Sequence, residues 1–263
     1  MIPIGLILLA IGIGLLIAQV MAVKTTQRLR STQRSTVADL QKLVGGVAGE
    51  MGSGSYRQAV AVAGRIAADQ PLTAPMSDKA CVYFRAWVVR RYEEEEVRTD
   101  AEGNRRRVTE TGSDTVSDQS ERRDFTIDDG SGQLLIMVQD ARLDDTTETV
   151  DRFEPGEESG ATLRIGSFSL TLPGAGGARR TIGYEYHEHI LPVGQQVTVT
   201  GEVSDQGGQL ALRNSKDTPL VVSMRSYEEQ LAGAEKKARF RRIAGIACAA
   251  VGVVVLVIGL IQG

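Results

Sequence analysis

Cysteine and histidine are nearly absent, with two of each in 263 residues. Cys81 lies in a polar central region and Cys248 in an apolar terminal run, so no intramolecular disulfide is expected and no disulfide framework exists. Any Ser–His–Asp or Cys–His set has to draw on His187 or His189, and no G-x-S-x-G elbow accompanies them. The glycine-rich stretches 45–54 and 174–177 do not run into Gly-Lys-Ser/Thr, which excludes a P-loop. Aromatics make up only 5% of the chain, and the candidates for a stacking platform (Tyr83, Phe84, Trp87, Tyr184 and Tyr186) sit in an acidic region. Nucleic-acid binding needs a basic groove as well as stacking, so it is not expected. No catalytic and no cofactor-binding residue is assigned.

What the sequence does have is two apolar ends. Residues 2–23 carry no charge and one polar interruption, Gln19. Residues 243–261 are wholly apolar, and at 1.5 Å per residue they give about 28 Å of helix, enough to cross a bilayer core. For the first run the rival is a cleavable signal, because Val20-Met21-Ala22 resembles a cleavage site. The lack of a basic leader and the length of the run favour a retained span. Ala10, Gly14, Ala18 and Ala22 recur every fourth residue, as do Gly245 and Ala249, and Cys248 and Gly252. That spacing lets the spans pack on each other or dimerise, although small residues are common in membrane helices anyway.

Charge is distributed to match. Residues 46–227 hold 20 basic and 29 acidic side chains, a net of −9, while basic residues collect beside both apolar runs. Lys24, Arg28, Arg30 and Arg34 follow the first run. Lys236, Lys237, Arg239, Arg241 and Arg242 precede the second. The positive-inside rule then predicts an integral, multi-pass protein with its central domain in the cytoplasm, and lipid headgroups as neighbours of the basic flanks.

The middle reads as β structure. Thr36-x-x-Asp39 caps a short helix with Val37, Leu40, Val44 and Val47 on one stripe. Strands are predicted over 56–67, 81–93, 184–190, 196–203, 209–213 and 220–224, with 162–170 as a further possibility. Asp129-Gly130 turns a hairpin between the apolar runs of 124–138. In strand 81–93, Val82, Phe84, Ala86 and Val88 take one side and Arg85, Trp87, Val89 and Arg91 the other. Residues 93–103 read as an exposed hairpin end and 144–158 as an acid-rich loop. Ser226-x-x-Glu229 is a capping box that opens the last helix. The expected fold is mainly β, an OB-like barrel or sandwich domain flanked by two transmembrane α-helices.

His187 and His189 are the metal candidates, since residues i and i+2 on a strand share a face, and Glu185 could add a third ligand. Two imidazoles fall short of a closed zinc site, so the favoured reading is a pair of partly exposed strand histidines.

Several stretches resemble the GIDE domain, also called BAM ("beside a membrane"), of MULAN/MAPL-type E3 ubiquitin ligases. They are 71–85 (PLTAPMSDKACVYFR), 183–194 (GYEYHEHILPVG), 197–202 (VTVTGE) and 222–229 (VSMRSYEE) before a terminal span. The resemblance implies a membrane-anchored domain that recruits or senses partners, here in a prokaryote-type relative without the RING finger. It divides the chain into a span (2–23), a basic juxtamembrane helix with a glycine-rich hinge (24–54), the GIDE-like β domain (55–225), a basic amphipathic helix (226–242) and a second span (243–261). Family members transfer ubiquitin through a RING that binds two zinc ions, four ligands to each. Two cysteines and two histidines cannot supply that set. The expectation is therefore an interaction or membrane-proximal sensing module with an unidentified protein partner; the alternative is a ligase-like component served by a RING on another chain. The organelle relatives hold this domain in the intermembrane space, which departs from the cytoplasmic placement predicted from charge.

Overall fold

The computed structural model describes residues 2–51, 54, 56–99, 103, 105–156, 162–171 and 179–261. Two helices at the chain ends, α1 (Ile2–Ser31) and α3 (Tyr227–Ile261), enclose a β body that also contains α2 (Val37–Met51). The strands are β1 (Gln33–Arg34), β2 (Arg57–Ala67), β3 (Leu72–Thr73), β4 (Ala80–Thr99), β5 (Arg105–Arg122), β6 (Phe125–Asp128), β7 (Gln133–Ile136) and β8 (Arg142–Leu143). They continue as β9 (Thr147–Pro155), β10 (Thr162–Ile165), β11 (Phe168–Thr171), β12 (Arg179–Pro192), β13 (Gln196–Ser204), β14 (Ala211–Arg213) and β15 (Val221–Ser223).

Strands β2, β6, β7, β14 and β13 form a closed five-stranded barrel, shut by the β2–β13 pairing. β7 and β14 run parallel, and the other contacts around the ring are antiparallel. Closure settles the choice between barrel and sandwich. Inward residues such as Val60, Val62, Ile127, Leu134, Val199 and Leu212 are buried, as alternation along each strand requires. α2 plugs one end with Val37 and Leu40, both fully buried. Its N-terminus is capped twice. The Thr36 hydroxyl accepts the Asp39 N–H at 3.2 Å. Asp129, in the β6–β7 turn, accepts the Val37 N–H at 2.8 Å. Gly130 turns there at φ 84°, a conformation that explains the Asp-Gly pair.

The segments between β2 and β6, and between β7 and β13, build a second antiparallel sheet in the order β5-β4-β12-β9, with β3 also on β4. Its inner face holds its own core, Phe84, Ala86, Val88, Tyr184, Tyr186 and Ile190, covered by Leu72, Met76 and Phe168.

Three expectations need correction. The acid-rich stretch 144–158 contains strand β9, an edge strand whose charged side chains face water while Val150 packs inward. The hairpin read at 93–103 is present as β4–β5, but its end comes later than expected: the strands stay paired as far as Thr99 and Arg105, so residues 93–99 are strand. Residues 162–170 are a hairpin of two strands, not one. The first two segments are polar, so backbone pairing, not apolar alternation, holds them in strands; in the third, the turn at Gly166 divides one alternating run into two strands.

Of the two expected spans, one helix is long and apolar enough to cross a membrane, Tyr227–Gly259, with mean hydropathy 2.4 in its apolar window. Among the described residues of α1 the apolar stretch is Leu6–Val20, about 22 Å of helix against a core of about 30 Å. The two helices nonetheless pack antiparallel. A Cβ on Gly12 would lie 2.7 Å from the Ala249 nitrogen, and one on Gly245 would lie 3.1 Å from the Leu16 side chain. Gly14 is exposed with nothing nearby, so the contact stripe of α1 runs through Gly12 and not through Ala10 and Gly14. The Ser226–Glu229 box forms as the sequence predicts: Ser226 N–H donates to Glu229 at 2.8 Å, and Glu229 N–H donates to the Ser226 hydroxyl at 3.2 Å.

Candidate functional site

The outer face of the second sheet gathers both histidines and the single tryptophan of the chain. Strand pairing sets them in rows: Ser120, Arg85, His189 and Glu148 in one, Asp118, Trp87, His187 and Asp151 in the next. Two further rows follow, Thr115, Val89, Glu185 and Phe153, then Ser113, Arg91, Gly183 and Pro155. Directly paired residues point the same way, so the cross-strand rows are the unit of contact.

Both imidazoles stack on the Trp87 indole, His187 at 4.9 Å and His189 at 5.3 Å between ring centroids. Their nitrogens turn to Asp151 and Glu148 on β9, to Glu185 on β12 and to the Thr146 hydroxyl, and not to each other. His187 Nδ1 is 3.2 Å from Asp151 Oδ1, and its Nε2 is 4.0 Å from Glu185. His189 Nε2 is 3.6 Å from Glu148, and its Nδ1 is 3.1 Å from the Thr146 hydroxyl. Across the indole, the Arg85 guanidinium carbon lies 5.0 Å from the ring centroid, and its N–H groups donate to Asp118 at 3.0 and 2.7 Å. That bidentate bond holds the Asp118 carboxyl below the usual carboxylate range and raises the Arg85 guanidinium. Among the described residues, no group of three or more His, Cys, Asp or Glu is placed to hold a metal ion.

Beside this cluster, an open hollow of about 420 Å³ lies between Arg91, Ser113, Phe153, Ile182 and Glu185. Arg91 Nε is 3.2 Å from Glu185, and the Phe153 ring is 48% exposed.

The inner face carries a second polar feature that the sequence reading passed over. Glu188, between the two histidines, is fully buried. Its carboxylate accepts the Met76 N–H at 2.6 Å, the Ser77 N–H at 3.4 Å and the Thr149 hydroxyl at 2.6 Å. It thereby ties the loop after β3 and the edge strand β9 to β12. Strand parity is the signal that finds it: if His187 and His189 face out, Glu188 must face in. Cys81 is buried in the same core. Burial first, and the Glu188 charge second, push its thiol up to about 11, so it is not poised as a nucleophile.

At the exit toward α3, Asp145 accepts the Ser223 hydroxyl at 2.6 Å and Arg225 N–H groups at 2.9 and 3.1 Å. Burial would raise its pKa, but these bonds prevail and lower it.

A closed five-stranded barrel, a second sheet with one open face and a long apolar terminal helix define a mainly β protein with a candidate membrane helix. The model of the GIDE family, described as E3 ubiquitin ligase, matches residues 93–258, more than half of the chain, and the chain belongs to that family. No curated protein and no solved structure matches it.

Proposed function

We propose that this chain is a two-span membrane protein whose barrel is of the OB type and whose domain is presented to the cytoplasm as a protein-interaction or membrane-proximal sensing module. The observation that carries the reading is the open outer face of the second sheet, where aromatic, cationic and anionic side chains meet without a catalytic constellation. Two spans are supported by the close antiparallel packing of α1 on α3, which brings Leu6–Val20 alongside the apolar part of α3. Cytoplasmic placement is supported by the basic residues at the domain side of both helices. The exposed side of α1 at Ala10 and Gly14 leaves room for helix–helix dimerisation.

The experiment is photocrosslinking in intact membranes from residues of the outer face, joined to a topology assay. A cysteine placed at Thr99 is expected to react with an impermeant maleimide only after the cytoplasmic side is opened. Labelling of sealed cells from outside overturns the placement, and a face that crosslinks to no protein overturns the module.

The family description favours a second reading, a ubiquitin-ligase-like component acting with a RING on another chain. It predicts that the chain copurifies with a zinc-binding RING protein and stimulates its ubiquitin transfer; no stimulation by the purified chain removes it.

A further inference from the structure

We propose that the outer face of the second sheet binds a cationic segment, a run of lysine or arginine side chains on a partner protein, and releases it on acidification. The inference rests on the interaction-module reading and names the partner's chemistry.

Charge on the face is unbalanced. Its four rows hold Arg85 and Arg91 against Asp118, Glu148, Asp151 and Glu185, a net of −2 with neutral imidazoles. Both arginines are already engaged within the face, Arg85 by Asp118 and Arg91 by Glu185. Among the described residues, Glu148 and Asp151 have only His189 and His187 as ion-pair partners. A neutral imidazole supplies no charge, so those two carboxylates are the open half of an electrostatic match. The apolar parts of the face suit the same occupant. Phe153, half exposed beside the 420 Å³ hollow, offers a surface for the methylene stem of a lysine or arginine, while the Trp87 ring is already covered by His187, His189 and Arg85. Four strands about 4.8 Å apart and four rows about 6.8 Å apart give a footprint of roughly 15 by 20 Å. That is far below the area a globular partner buries, so the occupant is a segment.

Protonation works against it. A proton on His187 meets Asp151 and Glu185, with Trp87 beneath. A proton on His189 meets Glu148, with Arg85 in the same row and Thr146 on its other nitrogen. Both protons together bring the face from −2 to neutral and pair the carboxylates that the segment needs.

Because Trp87 is the only tryptophan, its emission reports this face alone. The full chain in phosphatidylcholine nanodiscs is titrated with decalysine, with decaglutamate as control. Decalysine is expected to shift Trp87 emission saturably. Its affinity should fall about fivefold from pH 7.5 to pH 5.5, and about as much in Glu148→Gln/Asp151→Asn, as two exposed charge pairs allow. His187→Asn/His189→Asn is expected to bind at pH 7.5 and to lose the pH dependence. The proposal is overturned if decalysine leaves the emission unchanged, if the carboxylate variant binds as the parent does, or if pH dependence survives in the histidine variant. Circular dichroism confirms that each variant is folded. The two levels separate through photocrosslinkers at Ser113 and Ser120 in native membranes. A protein adduct with silent decalysine removes the cationic occupant and keeps the module; silent decalysine without any adduct removes both.

Discussion

Glu188 shows how one buried carboxylate can hold three pieces of chain together. Removing its side chain orphans the Met76 amide in a dry core and leaves the Thr149 hydroxyl only its 3.3 Å bond to the Glu188 carbonyl. Glu188→Ala is therefore expected to destabilise the domain by about 2–4 kcal/mol, and Glu188→Gln by less, because the amide still accepts and donates there. Urea midpoints of the two variants check this. Asp145 acts at the domain exit, and Asp145→Asn is expected to cost about 1–2 kcal/mol at neutral pH. Its folded pKa is depressed, so its contribution is present above the ordinary aspartate value and is lost as pH falls through the lower folded value. The parent's midpoint should fall toward the variant's only in that acid range. Cys81 has the opposite sign. Its thiol is raised from 9.0 to about 11, so that contribution is present below 9 and is lost as pH rises toward 11. At pH 8 the thiol should resist maleimide until the protein unfolds. His187, His189 and Trp87 were individually visible in the sequence. Their stacking was not, because it depends on the register of β12 against β4.

Among the elements, the helix pair gives the sharpest test. Gly12 sits where a side chain would collide with the Ala249 backbone, whereas Gly14 faces open space. Gly12→Leu should abolish oxidative crosslinking of a Leu16→Cys/Gly245→Cys pair in a Cys248→Ala background, and Gly14→Leu should leave it intact. The every-fourth-residue pattern predicted packing in general but selected Gly14, since periodicity does not say which stripe meets which neighbour. The Ser226–Glu229 box and the Thr36 cap on Asp39 form as read, because each lies within four residues, whereas the second cap on that helix, from Asp129, comes from far along the chain. Strand β9 and the greater part of β5, beyond the hairpin end, escaped detection for the complementary reason. Their side chains are largely solvated, and the partner strand alone fixes their conformation.

In the whole molecule, two sheets and a helix pair are assembled from segments far apart in sequence. The second sheet is inserted into the barrel at two places, so β4 and β12 come from separate insertions and meet only in the tertiary fold. The amino acids alone were enough for the apolar termini, the acidic centre, the mainly β composition, the helix caps and the Asp129-Gly130 turn, because each follows from nearest neighbours or from transfer of side chains between water and an apolar phase. Folding in three dimensions was needed to choose a closed barrel over a sandwich, to turn an acid-rich stretch into an edge strand, to bury Glu188 and to set two imidazoles on one indole. Those outcomes depend on which backbone lies beside which, and cross-strand register is a long-range quantity that no local window contains.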